Sequence, residues 1–412
     1  MKNSRVISAA QFRLLSGRAL RVNIALWAWG TCILARLHGA IRDEGSSIVI
    51  TDDGFAIPQP GHVFTYPRDH GSHPEFKLEW WYITGHLKTG NGRRLGFQAT
   101  FFRQSSPRED RPKEARSAEF SHDQIYLGHF ALLDTASGAF IYQSRLNRAG
   151  WDAGAATNRL EVWNGNWRLK GREATHKPEW GEASQLDLEL AGTIRGDANL
   201  ALTLSPTQPM VVFGTNGVSR KADGPTAASY YLTFPRLAVS GSVNLRGEIL
   251  AVEGDAWMDH EVSSSQLGAN QVGWDWACLQ LNDGRSIMCY RMRQEGGKTD
   301  PNSSLTWINK SGQLITFGPS QFSWSGLQHW KSPQTAADYP NHVRLEAMDP
   351  ATGKMTNLEL EPLVENQELT DDLGGVAYWE GACRVKNSDG KEVGHAFLEL
   401  TGYSGNLAAR LK

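Results

Sequence analysis

Apolar and polar residues alternate with a period of two along most of the chain, and helical periodicity is scarce. Two tryptophan-rich segments, about 190 residues apart, show the alternation best. The first runs from Glu79 through Trp80, Trp81 and Tyr82 to Leu87, crosses Thr89-Gly90-Asn91-Gly92-Arg93, and returns from Leu95 to Arg103. The second runs from Gly273 through Trp274 and Trp276 to Leu281, turns at Asn282-Asp283-Gly284-Arg285, and returns through Cys289 to Arg293. Each predicts a β-hairpin with aromatics at alternate positions, a Gly-containing turn followed by Arg, and an Arg closing the return strand. A repeat of this length reads as two copies of one all-β unit, because solenoid periods are shorter. Paired β-barrels with aromatic interiors are containers, and a container implies a lipophilic ligand.

The same pattern predicts further strands at residues 126–134, 139–145, 160–163, 167–170, 185–194, 200–204, 230–240, 248–257, 342–348, 378–385 and 396–401. Turn signals such as Asn164-Gly165-Asn166 and Arg195-Gly196-Asp197 separate them. Many short strands at this spacing predict a barrel or sandwich. Residues 104–116 and 214–225 read as mobile loops at a barrel mouth or on the surface. The domain junction is expected within 234–247, giving a leader over 1–45, an N-terminal domain over 55–240 and a C-terminal domain over 241–408. If Asp283-Gly284 is the centre of the second turn, Cys278 and Cys289 face each other, as adjacent thiols or as a cross-strand disulfide.

With 412 residues the chain can bury two full cores. Its 42 Lys+Arg against 44 Asp+Glu leave no basic field for a nucleic acid. Fifteen tryptophans suit a shaped apolar cavity with a few polar points, since each indole fills space and carries one N–H donor. Lys2, Arg5, Arg13, Arg18 and Arg21 precede an apolar run over 22–35, with no acidic residue before Asp43. That pattern resembles an export signal and is short for a membrane span, although its cleavage region is poor. A mis-assigned start or a disordered arm are the other readings. The expectation is a periplasmic or secreted protein that meets the membrane only through this leader. No Gly-x-Ser-x-Gly elbow and no phosphate loop occur, and His70, His73 and His260 have no metal-ligand spacing. Neither metal nor cofactor is expected.

Several segments together resemble the signature of AttH-type proteins, relatives of carotenoid 1,2-hydratase (hydroxyneurosporene synthase). They are Glu79-Trp80-Trp81-Tyr82 with Thr84-Gly85-His86-Leu87, Gly96-Phe97-Gln98 with Phe101-Phe102-Arg103, and Trp257-Met258-Asp259-His260-Glu261. Gly273-Trp274-Asp275-Trp276, Tyr378-Trp379-Glu380-Gly381 and Leu398-Glu399-Leu400-Thr401-Gly402-Tyr403 extend the match over roughly residues 60–405. The resemblance implies an all-β fold of two tandem lipocalin-like antiparallel β-barrels. Members are often described as secreted hydrolases, and fungal relatives include pericyclases, so the fold does not settle the chemistry. In the carotenoid hydratases an Asp in a matching Asp-His segment is the proposed proton donor to an isolated double bond, which marks Asp259. The hydratases also carry an aromatic/His element upstream. The stretch here, Ala228-Ser229-Tyr230-Tyr231-Leu232-Thr233, has tyrosines and no histidine.

An Asp259 ringed by Trp257, Trp274 and Trp276 would be pushed toward its neutral form by desolvation, as a general acid requires; the plainer role is an ion pair or a turn cap. Strand alternation puts Asp259 and Glu261 on one face and His260 on the other. These three are the catalytic candidates. The ligand-binding candidates are Trp80, Trp81, Tyr82, Gln98, Trp257, Trp274, Trp276, Gln280, Tyr230 and Tyr378. Glu79 beside Arg103 reads as an ion pair closing a barrel end, Glu380 and Glu399 as partners of Arg291 or Arg293, and His129 as a core histidine. Three functions follow. The first is an exported container that hydrates or hydrolyses an isoprenoid or polyketide-like molecule with Asp259 as the acid. The second is a non-catalytic carrier of such a molecule, working with an envelope transport system. The third is a structural envelope protein.

Overall fold

The computed structural model describes residues 49–106, 124–175, 177–370 and 377–405. The leader and residues 107–116 of the first expected loop lie outside the described residues. Within them, two antiparallel sheets account for nearly all regular structure, one of 13 strands and one of 10. Among the described residues no helix is long and apolar enough to cross a membrane.

The first sheet opens with β1 (Leu78–Thr89), β2 (Arg94–Ser105), β3 (Gln124–Asp134) and β4 (Ala139–Arg148), a meander of hairpins. It continues through β5 (Ala153–Ala155), β6 (Glu161–Asn164), β7 (Trp167–Glu173), β8 (Leu186–Ile194) and β9 (Ala198–Pro206). Two short strands, β10 (Val211–Phe213) and β11 (Ser219–Arg220), precede the long pair β12 (Ala228–Leu245) and β13 (Glu248–Ser265). β12 pairs with β9 and β13 with β1, so the sheet curls around. The side chain of Asn147 on β4 bonds Asn164 on β6 at 2.6 Å, and Arg145 bonds the Asn164 carbonyl at 3.0 Å, which nearly closes the barrel. Its interior is solid. Trp81, Ile83, Leu87, Phe97, Phe101, Phe130 and Trp167 pack there, each phenylalanine contributing roughly 1.5–3 kcal/mol by leaving water.

The second sheet repeats the plan as a half-barrel. It holds β14 (Gln271–Leu281), β15 (Ser286–Gln294), β16 (Ser304–Ile308), β17 (Leu314–Phe317), β18 (Phe322–Lys331), β19 (Asp338–Asp349) and β20 (Lys354–Pro362). β21 (Glu368–Leu369), β22 (Tyr378–Asn387) and β23 (Glu392–Leu400) complete it, and β23 pairs with β14 as β13 pairs with β1. Leu279, Trp307, Tyr339, Trp379 and Leu398 fill its concave side. The strands over residues 304–331 and 354–362 escaped the sequence reading, because much of β18 is exposed and lacks a clean two-residue alternation.

The two expected hairpins are β1–β2 and β14–β15, and their turns are the same. Gly92 and Gly284 both have φ +86°, the left-handed residue of a three-residue loop, and each accommodates it because glycine has no Cβ. The Arg that follows each turn grips a carboxylate at the end of another strand, β3 in the first sheet and β19 in the second. Arg93 makes bonds of 2.9 and 2.8 Å to Asp134, and Arg285 of 2.6 and 3.0 Å to Asp349.

Two expectations are corrected by the pairing. The three-residue loop sets Cys278 opposite Met288 and Cys289 opposite Ala277. The two thiols therefore point to opposite faces, and both are free. The chain passes between sheets not at 234–247 but after Ser265, so residues 241–265 belong to the first sheet. The turn signal there is a two-residue hairpin loop, Arg246 (φ +52°) and Gly247 (φ +92°), within one sheet.

The outer faces of the two sheets pack on each other. Gly96 of β2 lies so close to β22 that a Cβ added there would stand 2.9 Å from the Cβ of Ala382. Nearby, His86 Nε2 lies 2.9 Å from the Ala396 carbonyl and His395 Nε2 lies 2.7 Å from Gln280 Oε1. Burial holds His86 well below the usual histidine value and His395 at about 4. Both are depressed relative to 6.5, so the stability they contribute is present above pH 6.5 and is lost as pH falls below it, through about 4 for His395. A His86→Gln/His395→Gln variant is therefore expected to lose less thermal stability than the wild type across that window. Parallel acid unfolding curves for the two proteins would remove these histidines from the account.

Candidate functional site

Both barrel interiors are filled, and the open space lies between the sheets. A cavity of about 330 Å³ sits there, lined by side chains from both outer faces. Strand register explains its composition, because directly paired residues share a face. On the first sheet one row runs Thr233, Asp259, Tyr82, Thr100, His129 across β12, β13, β1, β2 and β3. The next row runs Tyr231, Glu261, Trp80, Phe102, Leu127. Facing them on the second sheet is the row Tyr290, Trp276, Glu399, Glu380 across β15, β14, β23 and β22.

Asp259 is 2 % exposed at the cavity wall. Its Oδ1 accepts from the Thr233 hydroxyl (2.5 Å) and the Trp257 indole N–H (2.8 Å), and its Oδ2 from the Tyr231 hydroxyl (2.7 Å). The Trp276 indole N–H donates to the same Tyr231 oxygen at 3.0 Å, which ties the Asp259 shell to the second sheet. Burial outweighs these donors, and the negative charge of Glu261 adds to it, so the Asp259 carboxyl is pushed up to about 7. β12 reaches this point through a bulge between Phe234 and Leu237, where Pro235 cannot donate to the ladder.

Five carboxyls line the cavity, and two of them have a cation, Glu79 in Arg103 and Glu261 in Lys221. Lys221 Nζ is 2.8 Å from Glu261 Oε1, and the ammonium also lies 4.4 and 4.5 Å from the ring centres of Tyr231 and Tyr290. Asp259, Glu380 and Glu399 form no ion pair among the described residues. Burial raises Glu399 to about 7, against the hydrogen bond from Trp274 Nε1 (3.2 Å). Burial, and then the facing charge of Glu399, raises Glu380 well above the carboxylate range. The Tyr82 hydroxyl donates across the sheets to Glu380 Oε1, while Glu380 Oε2 makes no hydrogen bond among the described residues.

The expected site residues divide by face. Asp259, Glu261, Trp80, Tyr82, Trp274, Trp276 and Tyr378 line the cavity. Trp257 and Gln98 stand behind its wall, Trp257 holding Asp259 and Gln98 donating to the hydroxyls of Thr100 (2.8 Å) and Tyr378 (3.2 Å). His260, Trp81 and Tyr230 are not at the cavity, because alternation turns them to the opposite face. His260 stacks on Trp81 inside the first barrel at 4.9 Å between ring centres, and the Tyr230 hydroxyl meets the backbone of Gln59. Gln280 is also away from it, donating to the carbonyls of Pro235 (2.8 Å) and Ala256 (2.9 Å). Glu380 and Glu399 do not meet Arg291 or Arg293. Those arginines bind Asp275 at 3.0 and 2.9 Å, on the other face of β14. His129 lines the cavity, its Nδ1 2.7 Å from the Tyr378 hydroxyl. Lys221 lies in the segment read as a mobile loop. Its 5 % exposure and the anchoring of its carbonyl by Gln271 (2.7 Å) make that segment part of the wall.

His73, Glu79 and His260 converge inside the first barrel, within 4.8 Å of one another. Their contacts are those of an ion-pair network, with Arg103 Nε 2.8 Å from Glu79 and both imidazoles hydrogen-bonded to the same carboxylate at 2.9 Å. A guanidinium on the central oxygen ligand opposes a dication there.

The sequence matches the AttH-like family over residues 57–403. The chain belongs to that family. No curated protein matches it. Among solved structures, one described as an AttH from Nitrosomonas europaea is 34% identical with a TM-score of 0.71, covering 85% of this chain and 100% of that one. Kievitone hydratase from Nectria haematococca aligns with a TM-score of 0.58 at 15% identity, over 85% of this chain and 97% of its own. CghA with Sch210972 aligns at 0.52 and 11% identity, over 87% and 98%. The last two share the fold of tandem lipocalin-like barrels with this AttH-like protein.

Proposed function

We propose that this AttH-like protein encloses an isoprenoid- or polyketide-like molecule between its two barrels and adds or removes water there, with Asp259 as the general acid. The observation that carries the reading is a carboxyl at the cavity wall, without a cation partner, pushed up to about 7 by burial. Protonation of a double bond by the Asp259 carboxyl would form a C–H bond and leave a carbocation on the neighbouring carbon. The indole faces of Trp80, Trp274 and Trp276 would stabilise that cation. Attack by water oxygen forms the C–O bond, and one water proton passes to the Asp259 carboxylate, which restores the acid and completes the addition. The fold shared with kievitone hydratase, a protein named for hydration, agrees with this chemistry. A carrier needs the cavity but not an unpaired acid, so Asp259 favours the enzyme. The basic, apolar leader supports export.

The test is to purify the protein from its native host and compare the small molecules bound to wild type and Asp259→Asn by mass spectrometry. The expected result is a pair of ligands differing by one water. The same unmodified lipid on both proteins would sink the enzymatic reading and leave the carrier.

A further inference from the structure

We propose that Glu380 is a neutral carboxylic acid whose Oε2–H is the anchoring donor for an oxygen of the bound molecule, so that the ligand is an oxygenated lipophile (a ketone, enone or alcohol) rather than a bare hydrocarbon. This rests on the reading of the inter-sheet cavity as the ligand site.

Glu380 and Glu399 are directly paired residues of β22 and β23. Paired side chains share a face with their Cβ atoms about 4.5–5.5 Å apart, and two like charges at that spacing repel. Both carboxyls line the cavity. No cation relieves them. The lysine of the cavity is bound to Glu261, and the two nearby arginines are bound to Asp275 on the other face. Two buried carboxyls in this position retain a proton, as in other carboxyl pairs that share a site. Glu380 is the more enclosed, at 1 % exposure, and it keeps the proton more strongly.

The hydrogen bonds then say where that proton is. Glu380 Oε1 is an acceptor, since the Tyr82 hydroxyl donates to it. The proton is therefore assigned to Oε2, which is buried, belongs to a residue of the cavity wall and makes no hydrogen bond among the described residues. A buried O–H donor without an acceptor is destabilising. A ligand oxygen placed against it recovers that loss, and an all-carbon ligand does not. Trp80, Phe102, Leu127 and Trp276 supply apolar wall for the remainder of such a molecule.

The probes are a saturated long-chain methyl ketone, carbon-13 labelled at its carbonyl, and the alkane of equal chain length, with binding read from tryptophan emission. Wild type is expected to hold the ketone roughly tenfold more tightly than the alkane, the worth of one hydrogen bond. The labelled carbonyl stretch should move to lower frequency on binding. Glu380→Leu should erase both the preference and the shift, and Glu380→Gln, whose amide still donates, should restore part of each. Without ligand at about pH 9, where Asp259 and Glu399 have released their protons, the carbonyl band of a protonated carboxyl should be present in wild type and lost in Glu380→Gln, which tests the proton even if the leucine variant misfolds. A wild type with no preference, or a shift that survives in Glu380→Leu, overturns the proposal. Neither probe has a carbon–carbon double bond, so this outcome is separate from whether Asp259 protonates one.

Discussion

Asp259→Asn is expected to make the protein more stable at and above neutral pH. In the fold the Asp259 carboxyl is pushed up to about 7 by burial, against 3.8 as its ordinary value. Between those two pH values the folded state keeps a proton that the unfolded chain has released. Stability therefore falls as pH rises from 3.8 to about 7, and the loss is constant above that. Three units of displacement correspond to about 4 kcal/mol, a large part of the ~5–15 kcal/mol that holds a typical domain together. Asparagine removes the titration and keeps most of the contacts. Its carbonyl can accept from Thr233 and Trp257, and its amide can donate to the Tyr231 oxygen. Urea unfolding of both proteins across this pH range should show curves that meet near pH 4 and separate toward 7, the variant higher. A variant destabilised equally at every pH would mean that Asp259 is a structural acceptor and that burial does not hold its proton. The same variant is expected to lose its chemistry by about 10²–10⁴-fold, the usual contribution of a general acid. A gain in stability with a loss of chemistry cannot be ascribed to unfolding, and it is the signature of a group kept for function at the expense of the fold.

Much of this site was legible in the chain because a strand has a fixed side-chain period. Asp259 and Glu261 on one face with His260 on the other follows from alternation alone, as does the grouping of Gln98, Thr100 and Phe102. Alternation does not say which face is the barrel interior. Trp80 and Trp81 look equivalent in sequence, yet one faces the cavity and the other fills the first barrel. Tyr230 and Tyr231 divide in the same way, and the more important of the pair, Tyr231, holds Asp259 and receives Trp276. A buried glutamate usually finds an arginine, which is why the sequence alone pairs Glu380 and Glu399 with Arg291 or Arg293. The three-residue loop of the β14–β15 hairpin instead sets Arg291 opposite Asp275, on the face away from the cavity. Lys221 carried no local signal at all, since the contacts that bury it come from β12, β13 and β15.

Replacing Glu79 by Gln is expected to cost about 3–5 kcal/mol, the loss that follows when one member of a buried ion pair is removed. The Glu79 carboxylate receives the Ser72 hydroxyl (2.7 Å), the His73 backbone N–H (3.0 Å), the rings of His73 and His260 (2.9 Å each) and Arg103 Nε (2.8 Å). Arg103 in turn donates to the carbonyls of His73 (2.9 Å) and Phe76 (3.0 Å), and both charged side chains are fully buried. Although burial opposes its charge, His73 is raised to about 9 by its hydrogen bonds to Asp69 and Glu79. Its folded value lies above the unfolded 6.5, so the stability it adds is complete below pH 6.5 and is lost as pH rises through about 9. Glu79→Gln should therefore lower stability most at mildly acid pH and flatten the decline toward pH 9. Arg103→Met should cost a similar amount, and the double variant less than the sum, because each single change strands the other's charge. Additive losses would show that the two side chains pack independently. The network matters to the cavity through register. It joins β1 to β13 at Glu79 and His260, and a slip of one residue there would turn Asp259 and Glu261 into the filled barrel and His260 out toward the ligand. The ion pair inside the first barrel thus fixes which face of β13 meets the second sheet.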